Sequence, residues 1–235
     1  MLFRAGTSGF SYDEWKGGFY PVDLSSRRML EYYSGRLPAV EINNTFYRMP
    51  KLSLLEGWSR QVIDDFRFVL KAPRRITHVL KLQNASGLVS DLFQVAASLK
   101  QKLGPVLFQL PPFLRKDLPL LSEFLSSLPE GARAAFEFRH PSWFDDDAYQ
   151  VLAEHQAALC GGDVDDDAKS PPLVATATFG YLRLRRTDYS DSQIQSWAER
   201  IRAQPWTEGY AFFKHETAGP ALAEKLNALL GKPGE

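Results

Sequence analysis

Short apolar runs alternate with stretches of helical period along almost the whole chain. Residues 2–8 (LFRAGTS), 39–43 (AVEIN), 66–73 (FRFVLKAP) and 105–111 (PVLFQLP) read as strands. So do 134–140 (AAFEFRH), 158–163 (ALCGGD), 180–186 (GYLRLRR) and 209–215 (GYAFFKH). Helical spacing fills 25–34, 53–63, 88–103, 118–127, 145–156, 191–203 and 218–230. In the fourth of these stretches Leu118, Leu121, Phe124, Leu125 and Leu128 recur every three or four residues, which marks a single apolar face. Ser90-Asp91 and Asp145 are expected helix starts, and Gly104 and Gly131 expected stops. Only the link VDDDAKSPPLVATAT, between the sixth and seventh strands, lacks a helical pattern.

Eight strands alternating with helices over 235 residues predict an α/β fold of the (β/α)8 type, since such barrels run to about 250 residues. No linker is long enough to divide the chain, so 1–235 is expected to form one domain. An open doubly wound sheet is the competing topology. Against it, GTSGF after the first strand lacks the spacing of a dinucleotide-binding loop, and no Walker-type loop occurs.

The polar residues inside these runs fall near their C-terminal ends: Glu41 and Asn43, Lys71, Gln109, Glu137 and Arg139, Asp163, Arg183 and Arg185. Ser8 ends the first strand, and Lys214 and His215 end the last. Alternate strand residues share a face, so Glu41 sits with Asn43, Glu137 with Arg139, and Arg183 with Arg185. In a barrel, inward side chains at strand C-termini face the mouth where active sites form. A carboxylate such as Glu41 on a buried strand is costly unless it is paired or used. The bland alternative at each position is an ion pair that orients its neighbours and touches no substrate. Arg185 and Arg186 are adjacent, so one of them must turn away from the mouth.

Composition narrows the choice. Hydrophobic residues make up 44% of the chain, enough for a packed core. Lys plus Arg and Asp plus Glu are both 28, so no global field favours a nucleic acid or an anionic membrane. The single cysteine, Cys160, excludes an internal disulfide framework and reads as a small buried side chain. No stretch approaches the ~20 apolar residues that cross a bilayer. No signal peptide is visible, and a soluble cytoplasmic protein is expected.

Four histidines without H-x-H or H-E-x-x-H spacing argue against a zinc site. Mg²⁺ or Mn²⁺ held by Glu41, Glu137 and Asp163 stays open. Lys71, Arg139 and Arg183 balance those three carboxylates, so a metal-free site without a cofactor is expected. Glu41 and Glu137 could act as general acid and base, as a pair of carboxylates does in glycosidases. Tyr12, Trp15, Tyr47 and Trp143 offer stacking surfaces, although such aromatics also simply cap a barrel. The arginines suit a phosphate or carboxylate. Lys71 would form a Schiff base only if burial lowered its pKa, and the nearby carboxylates are expected to keep it high.

The segments 6–21 (GTSGFSYDEWKGGFYP), 40–50 (VEINNTFYRMP), 68–78 (FVLKAPRRITH), 104–114 (GPVLFQLPPFL), 135–144 (AFEFRHPSWF) and 181–186 (YLRLRR) resemble, in order, the signatures of the YecE-like proteins. These form a bacterial and archaeal family named for a domain of unknown function. The resemblance implies a TIM-barrel-like fold and supplies no reaction. It gathers Tyr12, Trp15, Glu41, Asn43, Thr45, Phe46, Tyr47, Lys71, Gln109, Glu137, Arg139, His140, Trp143, Asp163 and Arg183 at the mouth. This chain has Arg185-Arg186 and Lys214-His215 where many relatives carry a His-Gly pair and paired asparagines.

Two functions follow. One is a hydrolase- or lyase-type enzyme acting on a small anionic, ring-containing molecule such as a sugar phosphate or nucleotide derivative. The other is a non-catalytic barrel that binds an anionic ligand or a nucleic-acid end, with nucleic acid the less favoured partner. The pattern fixes no oligomeric state.

Overall fold

A computed structural model describes residues 1–214 and 216–231. Eight parallel strands close into one barrel in chain order: β1 (Leu2–Ser8), β2 (Ala39–Ile42), β3 (Arg67–Lys71), β4 (Leu103–Gln109), β5 (Ala134–Glu137), β6 (Ala158–Asp163), β7 (Phe179–Leu184) and β8 (Glu208–Phe213). Helices α1 (Met29–Ser34), α2 (Leu52–Gln61), α3 (Ser86–Ala96), α4 (Leu118–Ser126), α5 (Asp146–Glu154), α6 (Asp191–Arg202) and α7 (Gly219–Leu230) follow the strands in turn, with α1 between β1 and β2 and no α-helix between β6 and β7. The β6–β7 link holds one 3-10 turn, Asp167–Lys169, as its Pro-rich sequence foretells. The (β/α)8 expectation holds, and the doubly wound alternative is excluded by closure of β1 on β8.

The strands are shorter at their C-terminal ends than the apolar runs suggest. β2 stops at Ile42 because Asn44–Phe46 forms a 3-10 turn, and β5 stops at Glu137 ahead of the Pro141–Trp143 turn. The expected end of the last strand, His215, lies outside the described residues. Helix α3 begins a turn before Ser90-Asp91, because Val89, Leu92 and Ala96 carry its buried face and Ser90 and Asp91 lie on the exposed one. Gly104 lies inside β4, and the preceding helical stretch ends where Lys100 takes φ +52°. Asp145 does cap α5, accepting from the Ala148 N–H at 3.0 Å. Gly131, with φ +74°, sits in the turn after α4 rather than at the helix end.

The barrel interior is layered. Ala39, Val69, Leu107, Ala135, Ala158, Cys160, Tyr181 and Phe212 form an apolar plug, with Phe179 and Tyr210 toward the N-terminal end. On the same inward parity, two residues further along their strands, come Glu41, Lys71, Gln109, Glu137 and Arg183. Val40, Ile42, Phe68 and Leu70 point the other way and pack under the helices. Two glycines allow close strand contact. A Cβ on Gly6 would lie 1.9 Å from the Ala39 carbonyl oxygen, and one on Gly162 (φ +145°) 2.1 Å from that of Arg183.

Candidate functional site

At the C-terminal mouth, one guanidinium organises two carboxylates. Arg183 Nη2 donates to Glu41 Oε1 at 2.7 Å, and its Nη1 donates to Glu137 Oε2 at 2.6 Å. Glu41 is fully buried and also accepts from Ser8 Oγ (2.8 Å), Asn43 Nδ2 (2.9 Å) and the Tyr181 hydroxyl (2.7 Å). Glu137 accepts from Gln109 Nε2 at 2.7 Å and Arg139 Nε at 3.0 Å. Burial works against ionisation of both carboxyls, yet Arg183 and the other donors hold both pKa values below the ordinary range. A carboxylate on a buried strand is tolerated here because Glu41 is paired.

Lys71 breaks the expectation of an ordinary ammonium. It is 8% exposed, its Nζ donates to Gln109 Oε1 at 2.9 Å, and it lies 4.2 Å from the centre of the Phe46 ring. Among the described residues it forms no ion pair, because Arg183 has claimed the carboxylates. Burial, reinforced by the Arg183 charge and opposed by Glu137 and Glu41, brings its pKa down to about 8. Gln109 links the two halves, with its carbonyl oxygen on Lys71 and its amide on Glu137.

Arg185 continues the inward row of β7, while Arg186 turns away to Asp163 and Asp167. Arg185 Nη1 is buried with no hydrogen-bond partner among the described residues. Burial and the neighbouring Arg183 lower the Arg185 pKa. Beside it opens a cavity of about 540 Å³ lined by Glu137, Arg139, Arg183 and Arg185 together with Phe144 and Lys169.

Several expected site residues have other places. The Asp163 carboxylate faces the helices, accepting from Trp197 Nε1 at 2.9 Å, Arg186 Nε at 3.2 Å and the Tyr189 hydroxyl. Asp163 also accepts from the Arg185 N–H at 3.3 Å and lines the cavity beside Arg185, but its carboxylate does not gather with those of Glu41 and Glu137 around one point. Among the described residues no His, Cys, Asp or Glu cluster has the makings of a metal site. Trp15 is 1% exposed and packs with Phe19, Tyr20 and Tyr33. Trp143 stacks on Phe138 at 4.4 Å and donates to the Leu114 carbonyl at 2.8 Å. Both tryptophans are packing residues, not stacking surfaces. Thr45 is buried and bonds the Lys71 carbonyl at 2.7 Å, fixing the strand end that carries the amine. His140 Nδ1 accepts from the Ser142 N–H at 3.1 Å and caps the following turn. Tyr12 donates to the Ser8 carbonyl, half-buried near Glu41, and Tyr47 stands 81% exposed on the lip.

Tyr181 is the site residue that the sequence pattern passed over. Its signal was its place two residues before Arg183 on one strand face.

The fold and site define a (β/α)8-barrel protein with a buried ionic network at the C-terminal mouth of its strands. The family described as "Protein of unknown function DUF72" matches residues 4–235, and the chain belongs to it. Among relatives, UPF0759 protein YecE of Escherichia coli K12 is 37% identical over 116 residues, a match covering 49% of this chain and 43% of that protein. The matched stretch is thus less than half of that relative's length. UPF0759 protein YunF of Bacillus subtilis is 27% identical over 202 residues, covering 80% of this chain and 71% of YunF. A DUF72 family protein of Thermotoga maritima superposes with a TM-score of 0.86 at 25% identity, covering 98% of this chain and 99% of that one. Among the described residues no helix is long and apolar enough to cross a membrane.

Proposed function

We propose that the mouth is the active site of a hydrolase- or lyase-type enzyme that takes a small anionic, ring-containing molecule. The observation that carries this reading is Arg185, whose buried Nη1 has no hydrogen-bond partner among the described residues, beside a cavity that also holds Arg139 and Arg183. An unpaired buried donor on a cation is costly, and a phosphate or carboxylate ligand would satisfy it. Lys71, brought near neutrality, takes the proton-transfer role that the sequence pattern offered to the carboxylates. Glu41 and Glu137, held ionised, serve instead to fix Arg183.

Thermal unfolding with added inorganic phosphate tests this reading. Wild type should gain melting temperature with phosphate, and Arg185→Met should lose that gain while remaining folded. A wild type indifferent to phosphate would remove the anionic-substrate reading. A phosphate-responsive protein that turns over nothing in a broad phosphoester and carboxylate screen would instead favour the non-catalytic binder.

A second reading, binding of a nucleic-acid end, has one observation in its favour. The segments 43–51, 72–85 and 110–117, which follow β2, β3 and β4, carry seven Lys or Arg and one acid, Asp117. Tyr47 and Phe113 are exposed there, as stacking residues for single strands would be. Fluorescence anisotropy with a short single-stranded oligonucleotide, over a salt series, would separate this reading from a small-molecule site.

A further inference from the structure

We propose that Lys71 is a nucleophile that forms an imine with an aldehyde or ketone whose anionic group rests against Arg185 and Arg139. The inference deepens the reading of the mouth as an anion-binding active site and rests on it. It names the substrate class: an anionic carbonyl compound.

The geometry supporting it is a division of labour among charges. A buried lysine normally survives by pairing with a carboxylate. Here both inward carboxylates at the mouth are spent on Arg183, at 2.6 and 2.7 Å, and among the described residues Lys71 Nζ has the neutral carbonyl oxygen of Gln109 and the face of Phe46. Arg183 on β7 and Arg139 after β5 disfavour its charged form. Glu137 on β5 and Glu41 on β2 favour it, and His78, after β3, is coupled to the same amine. The balance leaves the amine with a free lone pair in about a tenth of molecules at pH 7 and about half at pH 8, the condition for attack on a carbonyl.

The step needs only one proton from solvent. The Nζ lone pair adds to the carbonyl carbon and one Nζ proton passes to the carbonyl oxygen, giving a neutral carbinolamine. The hydroxyl then leaves with the solvent proton as water, and a protonated C=N bond replaces the C=O bond. The protonated imine retains one N–H, which suits donation to Gln109 Oε1 in place of the amine's own bond. Gln109 Nε2 remains on Glu137, so the new cation is formed one amide away from a carboxylate.

Borohydride trapping provides the test. Intact protein would be incubated at pH 8 with pyridoxal 5′-phosphate, a ring-bearing aldehyde with a phosphate, reduced with borohydride and mapped by peptide mass spectrometry. Glyoxylate, a much smaller anionic aldehyde, would be run in parallel to cover exclusion by size. Lys71 should label on the order of tenfold faster than exposed lysines such as Lys51 and Lys81. Its labelling should rise with pH through about 8 and fall when inorganic phosphate competes. If both probes label exposed lysines and spare Lys71 in protein that still responds to phosphate, the imine is overturned and the anion site stands. If Lys71 labels with no competition by phosphate and no dependence on Arg185, the nucleophile stands and the anion site is overturned.

Discussion

Arg183 and Glu41 meet inside the barrel at 2.7 Å from strands that do not pair with each other, one 4% and the other 0% exposed. The same guanidinium also binds Glu137, so replacing it would leave Glu41 buried with no cation and Glu137 with Arg139 alone. Arg183→Met should therefore cost about 3–5 kcal/mol in urea unfolding at pH 7. The loss should shrink in acid. In wild type both carboxyl pKa values are depressed, so their stabilisation is present above the ordinary glutamate range and disappears as pH falls below it. In the variant those pKa values rise, and acid repairs what the substitution breaks.

Glu41→Gln keeps the shape and one oxygen but removes the charge that Arg183 faces. Because Glu41 is paired on all sides, the variant should melt clearly below wild type, by roughly 5–10 °C for a loss of about 2–3 kcal/mol. A variant melting at or above wild type would show instead that Glu41 is held at a cost to stability, as a reacting group is.

Asp163→Asn tests the carboxylate that the structure turns outward. Its bonds to Trp197, Tyr189 and Arg186 tie β6 to α6 and its approach. The substitution should destabilise by about 1.5–3 kcal/mol and, through the Arg185 N–H that Asp163 also accepts, weaken the phosphate response only in proportion to that loss. Loss of that response with unchanged stability would return Asp163 to the site.

Lys71 should leave a signature in the pH dependence of stability. Its folded pKa of about 8 lies below the ordinary 10.5, so the unfolded chain binds more protons between those values. Stability must then rise with pH across that window. Between pH 8 and 9.5 wild type should gain about 1.5 kcal/mol relative to Lys71→Met, read from paired urea titrations. Equal slopes in the two proteins would mean that the amine titrates normally.

The fold was legible because apolar runs and helical faces repeat at their own periods from end to end, and the missing helix between β6 and β7 was visible in its prolines. The row Glu41, Lys71, Gln109, Glu137, Arg183 was legible as polar strand ends. The direction of the Asp163 carboxylate was not legible because the residues before it in ALCGGD are all small or apolar, leaving no alternation to set which face the last one takes. Trp15 and Trp143 sit in irregular turns, where no periodicity separates a buried ring from a presented one. The low pKa of Lys71 depended on how Arg183 shares itself between β2 and β5, which no local pattern records.

Glu41 and Arg183 are separated by 142 positions in the chain. During synthesis from the N-terminus, the acid leaves the ribosome long before its partner, and β8, which closes the ring against β1, follows later still. Until then Glu41 has every reason to stay hydrated, so the first half-barrel cannot seal around it. A nascent chain shorter than about 183 residues therefore carries Glu41 without its guanidinium partner. Such fragments would be open sheets with exposed edges, natural clients for a chaperone.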